Sequence, residues 1–356
     1  MTPEQQINEL FKQKVCWLSD SGPEDDIAIS SRIRFARNLQ NEMFPLRAKD
    51  SVLCGIRDEI MAAIRSVGKA RRIRFCEFNM DELSALDRQF LLERHLISRE
   101  FLNPRHGAAL ATSREQGTFI MVNEEDHLRI QVLAPGFQLK KLQERIDKLD
   151  DQLSEHLSFA FDSKLGYLTS CPSNLGTGMR ASVMLHLPGL VLTEQIQPVL
   201  QGISKLGLAA RGFFGEGSNN LGNLFQISNQ SSLGESEKTI LERINTVISQ
   251  IILHEKKARA TLLAGKREFL LNHVSRAYGL LKHSYLISGD EALAALSALR
   301  LGVDMKMFRS VDIHTVNDLF LRVQTAHLQK YSERELEQGE RDAVRATVLR
   351  QYFQDF

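Results

Sequence analysis

The sequence predicts a mixed fold of strands and helices up to about residue 257, with helices alone beyond it. Three observations carry this. Apolar and polar residues alternate over 27–37, 118–122, 127–134 and 180–187, the mark of strands with one face buried. Between the strands, apolar residues recur at helical spacing, as in Leu139, Leu142, Ile146, Leu149 and Leu153. No proline follows Pro198, and from about residue 236 only Gly265, Gly279, Gly289, Gly302 and Gly339 interrupt a helical pattern.

Composition narrows the class. A chain of 356 residues, 43% apolar and 25% charged, suits a soluble globular protein with a sizeable core. A net charge of +1 excludes a globally basic nucleic-acid binder. The cysteines Cys16, Cys54, Cys76 and Cys171 lack C-x-x-C spacing and read as reduced thiols. With no signal-peptide pattern and no apolar run of membrane length, a cytoplasmic location is expected. The ten histidines show no H-E-x-x-H or similar spacing, so no protein-built metal site is expected.

In chain order, residues 1–26 read as a short helix and a loop around Ser21-Gly22-Pro23. In the first strand Ile29, Ile33 and Phe35 share one face, and Ser30, Arg32 and Arg34 the other. Residues 50–68 and 81–102 read as amphipathic helices, the second carrying His95. The strands Thr118–Val122 and 127–134 form a hairpin whose turn holds Glu124, Glu125 and Asp126, closed by Pro135-Gly136. Arg129 lies on the polar face of its second strand, and Glu125 shares that face if the parity continues through the turn. Such a pair is a surface ion pair or a site. A helix follows over 138–160, then a short strand at 167–169 and an irregular loop, Cys171 to Gly178. In the next strand Arg180, Ser182, Met184 and His186 take one face. Helix 193–206 leads to a glycine-punctuated loop, Arg211 to Gly217, and to a strand around Leu224–Ile227.

Arg32, Arg34, Arg129, Arg180 and Arg211 therefore present guanidinium groups toward one polar surface. Facing nothing, these cations would repel one another. A nucleoside triphosphate with Mg²⁺ supplies the anion they need, because the planar guanidinium fork matches phosphate oxygens. Neither a G-x-x-x-x-G-K-[ST] loop nor a glycine-rich kinase loop with its lysine is present, so arginines would do the work of those cradles.

Five motifs then become recognisable: Ser30-Ser31-Arg32-Ile33-Arg34; Asn123 through Arg129; Cys171-Pro172-Ser173-Asn174-Leu175-Gly176-Thr177; Arg180-Ala181-Ser182-Val183; and Arg211-Gly212 with Gly215-Glu216. Together they resemble the signatures of the ATP:guanidino phosphotransferases, the family of arginine and creatine kinases, in order over about residues 27–257. Within that family the chain is most similar to the bacterial protein-arginine kinases. It lacks room for the helical N-terminal domain that encloses a free guanidine in the small-molecule enzymes, and it carries a helical C-terminal part instead. Arg341-Asp342-Ala343-Val344-Arg345-Ala346 resembles the phosphoarginine-binding element of that subfamily. Met184 stands where the small-molecule enzymes usually have His, and Gln226 where they usually have Asp.

The resemblance implies an α+β fold: an N-terminal segment (1–26), a catalytic domain (27–257) with a largely antiparallel sheet flanked by helices, and an all-helical C-terminal domain (258–356). It implies transfer of the γ-phosphoryl group of ATP, with Mg²⁺, to arginine side chains in proteins. Glu125 and Glu216 would grip the guanidinium and accept its proton, and Cys171 would assist beside it without covalent attack. Ser30, Ser31, Arg32, Ile33, Arg34, His95, Arg129, Arg180, Ala181, Ser182, Val183, Met184, Arg211, Gly212, Phe213, Phe214, Gly215 and Glu216 would surround the nucleotide. Arg341, Asp342, Arg345 and Ala346 would hold phosphoarginine as an allosteric ligand; the plain alternative for this run is a solvated face with a Glu337–Arg341 pair. The resemblance also implies a homodimer or larger assembly. A zinc-binding activator, a heat-shock repressor and a Clp protease would be its partners, and phosphorylation would mark proteins for degradation. Two rivals remain at this level: a kinase of a free guanidino compound such as arginine, and a non-catalytic phosphoarginine-binding regulator.

Overall fold

The computed structural model describes residues 2–212, 221–308 and 311–353. Helices α1 (Pro3–Lys12) and α2 (Cys16–Ser19) come first, followed by strand β1 (Ala28–Arg37). Next are α3 (Asp50–Arg71), β2 (Phe75–Asn79), α4 (Ala85–Glu93), β3 (Ala109–Ser113), β4 (Thr118–Val122), β5 (Leu128–Pro135) and α5 (Leu139–Ser154). A two-stranded ribbon, β6 (Phe161–Asp162) and β7 (Gly166–Tyr167), precedes β8 (Met179–His186), α6 (Pro188–Leu192), α7 (Ile196–Lys205), β9 (Leu208–Gly212) and β10 (Leu224–Asn229). Among the described residues helices alone follow: α8 (Glu237–Gly265), α9 (Arg267–His283), α10 (Gly289–Asp304), α11 (Ile313–Arg322), α12 (Thr325–Ser332) and α13 (Gln338–Phe353). No helix among the described residues is long and apolar enough to cross a membrane.

Among the described residues eight strands form one sheet in the order β2-β3-β4-β5-β1-β8-β10-β9, antiparallel throughout. β1 is central, so the strand that carries Arg32 and Arg34 is paired on both edges. Because side chains alternate, the sheet has two distinct faces. On one, Ile33, Phe35, Ile130, Val132, Ala181 and Val183 are buried with the apolar stripes of α3, α5 and α8. Leu139, Leu142, Ile146, Leu149 and Leu153 of α5 all belong to that core, as their spacing predicts. On the other face, Cys76, Phe78, Leu110, Phe119, Met121, Leu133, Met184 and Leu224 share a second core with α1, α2, α4 and α9–α13. The C-terminal helices thus cover the sheet face that bears the arginines, leaving its polar middle open.

Buried polar links hold those helices in place. The Arg300 guanidinium, fully buried, donates to the carbonyls of Asp25 (2.6 Å) and Asp26 (2.9 Å) and pairs with Asp304 at 3.0 Å. At the start of α12 the Glu93 carboxylate accepts from the backbone N–H groups of Ala326 (2.8 Å) and His327 (3.1 Å). These are donors that a helix N-terminus leaves unsatisfied, so Glu93 at the end of α4 acts as a cap supplied from elsewhere in the chain.

Two local readings of the sequence are corrected. Residues 81–102 are not one helix: α4 ends at Glu93, and His95 sits in a turn with φ of +59°. The apolar pattern continues because Leu96 and Ile97 are buried from irregular chain and Phe101 from a short 3-10 turn, a signal that mimics helical periodicity. Arg211 and Gly212 lie not in a loop but on β9, where Arg211 is in register with Gln226 of β10.

Candidate active site

The turn between β4 and β5 is held by hydrogen bonds to neighbouring segments. Asn123 takes φ of +57°, and its amide donates to the carbonyls of Leu53 (2.8 Å) and Gly107 (2.9 Å). Asp126 accepts from the Asn38 amide at 2.6 Å and from the Ser170 N–H at 2.7 Å. Ser170 Oγ in turn donates to the Glu125 carbonyl at 2.8 Å. His127 Nδ1 accepts from the Leu39 N–H at 3.0 Å, and Nε2 lies 3.2 Å from the Met43 carbonyl; burial lowers its pKa to about 4, so the ring is neutral. These bonds bring the 170–174 loop against the acidic turn, and the Cys171 thiol hydrogen-bonds the Glu125 carboxylate. Cys171 Sγ also lies 3.1 Å from Ser173 Oγ.

The three consecutive acids have three different fates. Asp126 is a buried structural acceptor. Glu124 pairs with Arg129, whose Nη1 lies 2.7 Å from both carboxylate oxygens, and accepts a further bond from Ser98 Oγ. Burial pushes the Glu124 carboxyl up, but Arg129, Ser98 and Arg34 outweigh it and hold it below the usual carboxylate range. Glu125 is the acid left facing the cleft. Burial, then the charges of Asp126 and Glu124, raise its proton affinity against the opposing pull of Arg129 and Cys171. Of the two alternatives open for Arg129 and Glu125, an ion pair between them is not formed: Arg129 pairs with Glu124 instead. Strand alternation gave no means of telling two adjacent turn acids apart.

Two compartments open on this face. One, of about 720 Å³, is lined by Glu125, Cys171, Ser173, Asn174, Arg105 and Leu46 among others. The other, of about 760 Å³, is lined by Arg32, His95, Gln131, Gln226, Ser228 and Gln324 among others. Arg34, Arg129, Arg180, Arg211 and Glu100 line both, so four guanidinium groups stand where the compartments meet. Arg34 is in register with Arg180, and Arg180 leans on Ser228 Oγ at 3.2 Å. Burial, then Arg129 and Arg180, lower the pKa of Arg32 to about 9. Arg34 is pulled well down by burial and then by Arg129, Arg32 and Arg180, with Glu124 opposing. Crowding of this kind stores electrostatic free energy that a polyanion would release.

The remaining predicted residues divide by face. Ser30, Ser182 and Met184 lie on the arginine face, beside His95, which burial and Arg32 hold neutral with a pKa of about 3. Ser31, Ile33, Ala181 and Val183 point to the opposite face. There Ser31 Oγ donates to the Gly136 carbonyl at 2.8 Å, and the other three are core. Gly212 ends β9, while Phe213, Phe214, Gly215 and Glu216 lie outside the described residues. In the C-terminal part, Arg345 is buried: its Nε donates to the Val323 carbonyl (2.9 Å), and its Nη1 to the Ile287 carbonyl (2.8 Å) and Asp342 (2.5 Å). Ala346 is buried beside it. Arg341 Nη1 donates to the Leu336 carbonyl at 2.8 Å rather than to Glu337, which precedes the helix. Missed in the sequence were Ser98, Glu100, Arg105 and Gln131, and also Gln324 and Thr325 from the C-terminal part. None belongs to a motif, and only the fold brings them to the cleft.

Comparison with known proteins agrees with this geometry. The family model for the ATP:guanido phosphotransferase C-terminal catalytic domain matches residues 56–258. That for the protein-arginine kinase McsB C-terminal domain matches residues 267–356. The chain is 45% identical to the protein-arginine kinase of Halothermothrix orenii over 336 residues, 94% of this chain and 95% of that one. It is 42% identical to the protein-arginine kinase of Pelotomaculum thermopropionicum over 354 residues, 99% of each. Among solved structures, the duplicated taurocyamine kinase of Schistosoma mansoni with bound transition state analog components superposes with a TM-score of 0.58 at 24% identity. That match covers 70% of this chain and 36% of the duplicated one. Lombricine kinase superposes with a TM-score of 0.58 at 23% identity over 73% of this chain and 76% of its own. These two likenesses speak for the fold alone. The antiparallel sheet, the arginine-lined cleft and the near-complete match to curated relatives converge: the chain belongs to the ATP:guanidino phosphotransferases, within the protein-arginine kinase family.

Proposed function

We propose that this chain transfers the γ-phosphoryl group of ATP·Mg²⁺ to the guanidinium of arginine residues in proteins. The observation that carries the reading is the junction of the two compartments. Arg34, Arg129, Arg180 and Arg211 border both, and Glu125 faces one of them. The triphosphate would lie along the arginines with its γ-phosphate at the junction, and the target guanidinium would enter beside Glu125 and Cys171. A protonated guanidinium is no nucleophile. Glu125, with its raised proton affinity, is suited to accept a proton as the nitrogen attacks in line, and Cys171 holds that carboxylate in place. The arginines neutralise charge on the transferring group, and Glu124 keeps Arg129 aimed. Glu216 takes the second acidic role by resemblance. Mg²⁺ would enter with the nucleotide and neutralise charge on its phosphates.

Arg341, Asp342, Arg345 and Ala346 are proposed to take phosphoarginine as a regulatory ligand, Arg345 exchanging part of its internal bonding for phosphate. Asp342→Ala should abolish phosphoarginine binding; unchanged binding and activation would remove this role. The resemblance adds the domain division at 257, assembly as a dimer or larger, the activator, repressor and protease partners, and degradation of the marked proteins. The main reading is tested by coupled ADP release with a protein substrate and with free L-arginine. Turnover is expected on the protein; robust turnover on the free amino acid alone would favour the small-molecule rival.

A further inference from the structure

Trp17 is the one tryptophan of the chain. It lies on α2, in the segment ahead of the first sheet strand and of the catalytic family match. It is only 1% exposed, yet its Nε1–H has no hydrogen-bond acceptor among the described residues. An indole N–H can only donate, and a buried donor without an acceptor costs roughly 1–3 kcal/mol. Trp17 nevertheless borders a slot of about 20 Å³ with mixed lining, together with Ser30, Arg32, His95, Leu133, Ser182, Met184 and Gln226. Three of these residues, Arg32, His95 and Gln226, also line the larger arginine-rich compartment, so the slot continues its wall. Gln226, whose side-chain amide can both donate and accept, lines the same slot.

Two contacts position this segment. The His95 ring stands edge-on to the indole with centroids 5.4 Å apart, and the Asn317 amide donates to the Leu18 carbonyl at 3.4 Å, tying α2 to α11. Such a slot holds a single water or the edge of a ring, and not a whole base. A donor beside an amide is complementary to the heteroatom edge of a purine, whose ring nitrogens accept and whose exocyclic group donates.

We propose that Trp17 is a specificity residue of the nucleotide site, its indole N–H meeting the heteroatom edge of the ATP base in the slot beside Gln226. The base then lies in the larger compartment at the end remote from Glu125, with its edge toward α2, while the phosphates run along the arginines. The inference rests on reading that compartment as the nucleotide's. It also gives the N-terminal segment a part in catalysis that no motif assigns to it.

Because the chain has a single tryptophan, the unmodified protein reports directly. ATP is expected to change the emission of Trp17, and inorganic tripolyphosphate, which has no base, to bind at the arginines and leave the emission nearly unchanged. Trp17→Phe, which keeps a ring and removes the N–H, should weaken ATP roughly five- to tenfold, the loss of one hydrogen bond, and leave tripolyphosphate affinity as it was. ATP that binds and displaces tripolyphosphate without altering Trp17 emission, with Trp17→Phe binding ATP as tightly, would overturn the role of Trp17 alone. ATP and tripolyphosphate that fail to compete, or that bind Arg180→Met as well as the parent, would instead overturn the assignment of the compartment.

Discussion

Arg32→Met separates function from stability more sharply than any other single change. Arg32 stands on the central strand between Leu133 of β5 and Ser182 of β8. Methionine reproduces its aliphatic stem without the charge. Burial, followed by Arg129 and Arg180, lowers the pKa of this guanidinium to about 9. Against the ordinary arginine value this is roughly 5 kcal/mol taken at face value. Solvent reaching a partly buried side chain, and relaxation around it, reduce that to about 1–2 kcal/mol. The ligand-free variant should therefore be more stable, with a melting temperature higher by roughly 1–3 °C. The same change removes a charge-assisted hydrogen bond to phosphate, worth about 1.5–3 kcal/mol, so ATP should bind roughly 10- to 150-fold more weakly. Thermal unfolding with and without ATP·Mg²⁺, and titration calorimetry, measure both effects. A variant that is less stable when ligand-free and binds ATP normally would refute the reasoning, since Arg32 would then be a structural residue rather than one held for an anion.

Other changes probe the remaining parts of the cleft. Glu125→Gln keeps the shape and removes the proton acceptor, and kcat should fall about 10²- to 10⁴-fold with ATP affinity little changed. The folded-state pKa of Glu125 is raised, so its carboxylate form is present above that pKa and lost as the pH falls through it. The acid limb of the kcat/KM profile should accordingly lie above the usual carboxylate range and be absent in the variant's residual activity. The same sign predicts that ionised Glu125 costs stability at neutral pH, so Glu125→Gln should melt higher there, and the gain should fade as the pH falls toward the ordinary glutamate pKa. Ser98→Ala removes a bond that holds Glu124 on Arg129. The KM for ATP should rise about three- to tenfold, and unchanged kinetics would show that Arg129 needs no such support. Ile146→Ala, in the core between α5 and the sheet, should cost about 2–5 kcal/mol in denaturant unfolding while leaving the KM of the surviving fold unaltered.

Much of the sheet was legible because strands with one polar and one apolar face announce themselves. Arg32, Arg34, Arg129 and Arg180 sit on one face simply because of their parity. Parity also explains why Ser31, Ile33, Ala181 and Val183 lie on the other, despite belonging to the same motifs. What the sequence could not convey were contacts distant in the chain. Glu93 capping α12, and Gln324 reaching the second compartment from the C-terminal part, depend on helices folding back over the sheet. The separation of Glu124 from Glu125 likewise depends on Ser98 arriving from another segment. His95 was assigned to a helix because the buried residues after Glu93 keep an apolar rhythm that no longer reflects helical geometry. A lone tryptophan such as Trp17 carries the same sequence signal as any core aromatic. Only the missing acceptor for its N–H distinguishes it.

The central claim is that Glu125 and the arginine junction move phosphate from ATP onto protein arginine. Incubating the chain with ATP·Mg²⁺ and an arginine-containing protein, then assaying for acid-labile phosphate and locating it by mass spectrometry, tests this most directly. The account predicts label on arginine side chains, strongly reduced by Glu125→Gln and by Arg180→Met. Absence of label, label on hydroxyl side chains, or arginine label that survives Glu125→Gln undiminished would contradict it.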